Sequence, residues 1–329
     1  MIHIKSPTRV DLAGGTLDMW PLYNFVSDAT TINLAIDIWT EVELESSGSS
    51  EIQIESKDLK LKWKFPDLSV FLKTLDPKLA LYQKLISKFE LTEGFILKTS
   101  SQSPIGGGLG GSSSLVISIL KAFNQLLGFG RPDIHAMVHL AHNVEAEILN
   151  TPTGTQDYYP AISGGMNILK YTATGIKQKI FDLAGTPFED YFLLVNTGKS
   201  HHSGLNNFEV LKSAVQGDFK VLTALKKIKR IAEDMKVALE NKKWDELPTL
   251  FKQEFDARIE LTPAFSSPEI ERLAKISIDA GALAIKICGA GGGGCVLIWV
   301  APSNREKVIQ ACESENFQCL NAKPIGPIK

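Results

Sequence analysis

The residues best suited to chemistry begin at Pro104-Ile-Gly-Gly-Gly-Leu-Gly-Gly-Ser-Ser-Ser114, where glycines pass into three hydroxyl side chains ahead of an amphipathic helical pattern. Glycine allows close backbone approach and positive φ, so successive amides can converge on one anion. A helix beginning near Gly110 would aim its free N–H groups and the positive end of its dipole at the same point. A polyphosphate needs that construction. A plain chain reversal before a helix is the other reading the segment leaves open.

Carboxylates follow downstream. Asp157 lies in Gly154-Thr-Gln-Asp157-Tyr-Tyr, which suits either a surface turn or a group that orients or deprotonates a hydroxyl. Glu145 and Glu147 share a helical stretch with Ala141, Val144 and Ile148, whose spacing turns one glutamate inward and leaves the other to solvent. An inward carboxylate beside phosphates can hold Mg²⁺, a hard cation that prefers oxygen ligands. A surface glutamate is the alternative. A second glycine run, Lys286-Ile-Cys-Gly-Ala-Gly-Gly-Gly-Gly294, lies between two apolar segments. Alone it reads as a β-turn or a site; the upstream loop adds weight to the site.

Helices and strands must hold these groups in place. Alternation and β-branched content predict strands over 2–5, 31–38 and 40–45, with 52–54 continuing a meander. A helix over 80–89 and a strand over 94–99 lead into the glycine loop, followed by a helix over 115–127. Pro132 suits the first turn of a helix that runs to Leu149. Strands are expected over 166–171, 178–181 and 191–195, then a helical region over 205–242 broken at Gly217-Asp218. Helices over 244–255 and 269–279, strands over 283–288 and 295–300, a helix over 305–314 and a strand near 317–322 complete the chain. Helices and antiparallel-compatible strands segregate in both halves, which predicts an α+β architecture. Two domains, 1–185 and 186–329, fit the length.

Composition narrows the function. A formal charge of −2 over 329 residues offers no broad basic field for nucleic acid. The cluster Lys226-Lys227-Ile-Lys229-Arg230 lies in a helical pattern with Ile231 and Met235 and reads as a solvated helix face. The four cysteines lack zinc-site spacing, and Cys288 and Cys295 fit small buried hydrophobes in apolar strands. No stretch approaches the roughly 20 apolar residues of a membrane helix. A cytoplasmic protein with reduced thiols is expected, with neither nucleic acid nor membrane as partner.

Three ordered motifs, Ser6-Pro-Thr-Arg-Val-Asp-Leu-Ala-Gly-Gly-Thr-Leu-Asp18, Pro104–Ser114 and Lys286–Gly294, resemble the galactokinase–homoserine kinase–mevalonate kinase–phosphomevalonate kinase superfamily over essentially the full length. The resemblance implies a two-domain α+β small-molecule kinase with a ferredoxin-like C-terminal domain, using ATP and Mg²⁺. It implies that Gly106, Gly107, Gly108, Leu109, Gly110, Gly111, Ser112 and Ser113 wrap the phosphates, and that Ser112 and Glu145 hold the metal. Asp157 matches the catalytic aspartate, Arg9 its charged neighbour, and Asp18 a ligand of substrate hydroxyls. Gly291, in the third motif, is expected near the acceptor. Gly111 stands where the common pattern has serine, which removes a hydroxyl contact and keeps the amide cradle.

The first motif, Gln156-Asp157-Tyr158, Gly164-Gly165-Met166-Asn167 and Asn196-Thr-Gly-Lys199-Ser-His-His-Ser203 are most similar to the heptose-kinase and fucokinase side of the superfamily. That branch implies phosphorylation of D-glycero-D-manno-heptose 7-phosphate at the anomeric hydroxyl, with Arg9, Lys199, His201 or His202 meeting the 7-phosphate. The chain departs from the branch by one glycine fewer before Thr16 and by His201 where arginine fits the pattern. Mevalonate or phosphomevalonate kinase, or a nonenzymatic sugar-binding regulator, are the alternatives. A small-molecule sugar or sugar phosphate is thus the expected partner, and the chain a monomer or homodimer.

Overall fold

The computed structural model describes every residue except Arg131, His201, His202, Ala290 and Lys329, and at 203–205 the backbone alone. The first sheet holds β1 (Ile2–Ala13), β2 (Ala29–Ser46), β3 (Ile52–Ser56), β4 (Leu61–Phe65), β5 (Phe95–Ser101), β6 (Met166–Thr172) and β7 (Gly175–Phe181). Its order is β4-β3-β5-β2-β6-β7, with β1 paired to β2. The second sheet holds β8 (Phe192–Asn196), β9 (Ala284–Ile287), β10 (Cys295–Trp299) and β11 (Gln318–Leu320) in the order β11-β8-β10-β9.

The helices around the first sheet are α1 (Leu22–Phe25), α2 (Leu68–Lys73), α3 (Ala80–Ile86), α4 (Gly111–Leu126), α5 (Ile134–Leu149) and α6 (Tyr158–Ser163). Those of the second half are α7 (Phe188–Tyr191), α8 (Ser203–Val215), α9 (Phe219–Glu240), α10 (Leu247–Leu261), α11 (Pro268–Asp279) and α12 (Pro302–Ser314). From β8 onward the chain runs strand, helices, two strands, helix, strand, in an antiparallel sheet with the outer strands exchanged. That is a ferredoxin-like arrangement, as expected.

Two strand expectations need correction. Residues 31–38 and 40–45 are parts of one strand, β2, whose first half pairs β6 and whose second half pairs β5, while β1 runs along it. A register shift at Pro7/Thr8 skips Asp37 and Ile38, which is why the pattern reads as two strands. The meander does not form either: β5 lies between β2 and β3, and β3 pairs with β5 in parallel. Pro132 precedes the cap of α5 rather than entering its first turn; Asp133 accepts the Ala136 amide at 2.7 Å and starts the helix.

Strands β8 and β10 read as continuous apolar runs because both of their faces are covered. Phe192, Leu194, Leu297 and Trp299 join the core shared with α9 and α10, while Leu193, Val195, Val296 and Ile298 join a second core under α11 and α12. The cation cluster lies on the outer side of α9, with Lys226, Lys227 and Arg230 exposed and Ile228 and Ile231 buried. The two halves are also stitched together. Segment 323–328 returns from the second sheet to the first, where Ile325 N–H donates to Ala35 at 3.0 Å and Pro327 bridges Gly164.

Helix α10, which brings Arg258 to the cleft, is held by aromatic packing. Phe251 is fully buried, with its ring 5.6 Å from that of Trp299, which also meets Phe188 at 5.0 Å. Phe251→Ala is expected to cost about 3–5 kcal/mol in urea denaturation, as core aromatic truncations do. A loss below about 1 kcal/mol would show that α10 is anchored elsewhere.

Candidate active site

Gly110 caps α4 from the left-handed region, at φ 68°, a conformation that an L side chain adopts only with strain. This turn brings the amides of the first α4 turn round to face the loop before it. Ser114 and Ser118 then fix the helix to the sheet: both hydroxyls meet Thr40 Oγ1, at 2.8 and 3.0 Å, and Ser114 also donates to Ser6 O at 3.0 Å. The glycine loop is thus bolted to β1 and β2 from beneath.

The loop forms one wall of a cleft of about 440 Å³. Arg9, Asp18, Gly106 to Ser113, Glu145 and Asp157 all line it, so most of the residues expected from sequence converge. Gly289 from the second glycine run also lines it, and Cys295 N–H donates to Gly107 O at 2.8 Å, so the second run buttresses the first. Gly291 does not line the cleft; this stretch lies against residues 263–265, with Gly292 N–H donating to Phe265 O at 3.0 Å. Lys199 is also absent from the lining, and its ammonium lies 3.2 Å from Glu269. His201 and His202 fall outside the described residues.

Glu145 is the inward glutamate of α5, and Glu147 is the exposed one. Ser112 donates to Glu145 Oε1 at 2.6 Å, while Ser113 and Tyr158 donate to Oε2 at 2.8 and 2.6 Å. Burial pushes the carboxyl above its ordinary range, against the pull of these three hydroxyls. Among the described residues no cation pairs with it. A buried carboxylate with hydroxyl neighbours and no cation is a donor set that fits a hard divalent ion. Among the described residues no three His, Cys, Asp or Glu side chains cluster as a metal cage, so phosphate oxygens and water would have to complete the shell.

Arg9 and Asp157 form a bidentate pair. Nε donates to Oδ1 and Nη2 to Oδ2, both at 2.7 Å, and Nη1 donates to Gly108 O and Cys288 O at 2.6 and 2.8 Å. Burial opposes the arginine's charge, but Asp157 outweighs it and raises the Arg9 pKa. Such a fork fixes the carboxylate's plane as well as its charge.

At the other end of the cleft, Asp18 Oδ2 accepts the Gln156 amide at 3.1 Å. This approach needs Gly154, where a Cβ would stand 1.9 Å from the same oxygen. Burial first, then the nearby charges of Asp157 and Asp11, raise the Asp18 pKa to about 6, with the Gln156 amide pulling the other way.

Several lining residues have no role assigned from the sequence motifs. Tyr158 holds Glu145; Thr16 donates to Asn207 Oδ1 at 3.1 Å across the cleft; Asp11 and Arg258 form an ion pair at 2.9 Å in its floor. Asp11 in Val10-Asp11-Leu12 and Lys286 in Ile285-Lys286-Ile287 did give a signal, since a charge within an apolar strand run needs a buried partner. Glu254 and Arg258 gave none, because i,i+4 opposite charges on a helix usually mean a solvated pair.

Loop amides suited to an anion, a metal-suited carboxylate and a clamped aspartate in one cleft suit phosphoryl transfer to a hydroxyl. Comparison with known proteins agrees. Residues 77–165 match the family described as GHMP kinases N terminal domain, and residues 235–319 match GHMP kinases C terminal, together more than half of the chain. The chain is 29% identical to D-glycero-alpha-D-manno-heptose 7-phosphate kinase of Campylobacter jejuni, over 95% of this chain and 94% of that one. It is 27% identical to mevalonate kinase of Pyrococcus furiosus, over 93% and 91%. Its fold superposes on galactokinase of Lactococcus lactis solved with galactose, at a TM-score of 0.80 and 19% identity, over 99% and 94% of the two chains. The chain belongs to the GHMP kinase family and is an ATP-dependent small-molecule kinase.

Proposed function

We propose that the protein transfers the γ-phosphoryl group of ATP to the anomeric hydroxyl of D-glycero-D-manno-heptose 7-phosphate. The observation that carries this reading is the near end-to-end likeness to the Campylobacter heptose 7-phosphate kinase. The chemistry of the acceptor end supports it. Asp11, Asp18 and Asp157 are gathered there, while Arg9 and Arg258 are already committed to carboxylates. Carboxylates recognise hydroxyl donors, and a heptose presents them along its whole ring. Mevalonate offers one hydroxyl besides the reacting one and brings a carboxylate of its own, which this wall repels.

In this reading the amides of Gly106 to Ser113 hold the triphosphate against the start of α4. Magnesium, bound by Glu145 and Ser112, would supply charge neutralisation at the phosphates. Asp157 accepts a hydrogen bond from the anomeric hydroxyl and orients its oxygen for in-line attack, taking the proton as the O–P bond forms and the bond from the γ-phosphorus to the bridging oxygen breaks to release ADP. Arg9 keeps the carboxylate aimed. Asp18 meets a ring hydroxyl. The 7-phosphate, at the far end of the sugar, reaches the 196–207 segment, where Lys199 exchanges its exposed pairing with Glu269 for the phosphate; that surface ion pair is a weak competitor. His201 stands in the same segment.

Three measurements bear on this. In a panel of heptose 7-phosphate, unphosphorylated heptose, fucose and mevalonate, read by ADP release and by phosphorus NMR of the product, the heptose phosphate should be turned over at least about tenfold more efficiently than the rest. Exclusive turnover of mevalonate overturns the sugar reading, and preference for an unphosphorylated sugar removes the role given to Lys199. Asp157→Asn should keep the fold and ATP binding yet lower kcat by about a hundredfold or more; near-native turnover in the folded variant would sink the catalytic assignment. Glu145→Gln should weaken binding of Mn²⁺ with ATP, followed by electron paramagnetic resonance, by about tenfold or more, and an unchanged metal affinity would move the metal elsewhere.

A further inference from the structure

Asp11, Glu254, Arg258 and Lys286 form a buried quartet to which the transfer step assigns no role. Their side chains are 0–2% exposed. Arg258 Nη2 donates to Asp11 Oδ2 at 2.9 Å and the guanidinium also pairs with Glu254; Lys286 Nζ lies 3.3 Å from Asp11 Oδ2 and 3.1 Å from Glu254 Oε2. The four charges cancel, and they come from β1, α10 and β9, so the quartet ties the two halves together. Stripping water from four ions costs several kcal/mol for each, and apolar residues would fill the same space at least as stably. Stability alone is therefore a poor account of it.

Asp11 and Arg258 of the quartet line the cleft, and Arg258 also reaches the turn before Asp18. Arg258 Nη2 donates to Gly15 O at 3.3 Å and Nη1 reaches Thr16 Oγ1 at 3.4 Å. Thr16 is β-branched yet sits at φ 78°, a conformation that persists only where its surroundings impose it. Thr16 also donates to Asn207 of α8, and its carbonyl accepts the Met19 amide at 3.2 Å. Two residues further along the same turn stands Asp18.

We propose that Arg258 is a positioning residue for acceptor recognition, pinning the strained Gly15–Thr16 turn so that Asp18 is held where it meets the acceptor. This rests on Asp18 being an acceptor contact, as argued above. Among the described residues none of the Arg258 hydrogen bonds goes to the glycine loop, so the effect is selective for the acceptor over ATP. Among the described residues, the charged or titratable groups around Asp18 are Asp11 on β1, Asp157 before α6, Tyr171 on β6 and Arg258 on α10. Arg258 is the cation among them, and its removal leaves Asp18 easier to protonate.

Two variants test this. Arg258→Met with Glu254→Gln removes one charge of each sign and leaves Asp11 with Lys286; Thr16→Val removes only a hydroxyl. Both are assayed with whichever acceptor the wild-type enzyme turns over, so failure of the heptose assignment does not decide the outcome. Hydrogen exchange at residues 14–18 is measured alongside and needs no substrate. The expected result is an acceptor KM raised about tenfold in both variants, with the KM for ATP within about twofold. Exchange over 14–18 should be faster in both. Ionised Asp18 accepts hydroxyl hydrogens more strongly than the protonated acid, so acceptor kcat/KM falls as pH drops through its pKa of about 6, and this acidic limb should move to higher pH in the double variant only. If the double variant does not fold, Thr16→Val decides alone. Unchanged acceptor KM and exchange, or equal rises in both KM values, overturn the proposal.

Discussion

The guanidinium of Arg9 is the interaction on which the rest of the site depends. Its fork grips both oxygens of Asp157, its remaining nitrogen bridges Gly108 O and Cys288 O, and its backbone amide donates to Leu109 O at 3.0 Å. One side chain on β1 therefore touches the glycine loop, the start of α6 and the strand end that precedes the second glycine run. The three motifs are far apart in sequence and meet at this residue. A lysine could carry the charge but not the geometry, because it offers a single nitrogen in place of a planar fork.

Around that hub the cleft divides by chemistry. The end formed by α4 offers amides and hydroxyls, and its carboxylate, Glu145, is held by three of those hydroxyls. The opposite end offers carboxylates whose cation partners are already engaged. Anions with a metal suit the first end and hydroxyl donors the second. Asp157 stands at the junction, close enough to Gly110 that a Cβ there would lie 3.1 Å from its Oδ2. The separation of the two substrate ends follows from where the chain spends its charges.

Much of this was legible from residue order. A glycine run before an apolar helical pattern, an aspartate in a polar loop and a glutamate on the inner face of a helix each carry local signatures, and α4, α5 and the 151–157 loop follow them closely. Errors arose where pairing is non-local. The division of β2 between two partner strands is invisible along the chain because its hydrophobic pattern does not name its neighbours, and a skipped register looks like a strand end.

The sequence by itself determined most of the elements, the glycine loop ahead of α4, the family resemblance and, through that resemblance, the pairing of Arg9 with Asp157, because these rest on short-range pattern or on motif order. Tertiary structure alone decided which charges are buried. Glu254 and Arg258 look like an ordinary solvated helix pair, and only the packing of α10 against β1 and β9 turns them inward to meet Asp11 and Lys286. Gly291 shows the converse, since a glycine within a motif need not line the cleft. Burial is a property of the whole fold, set by what covers a side chain from distant segments, and no window of sequence contains that information.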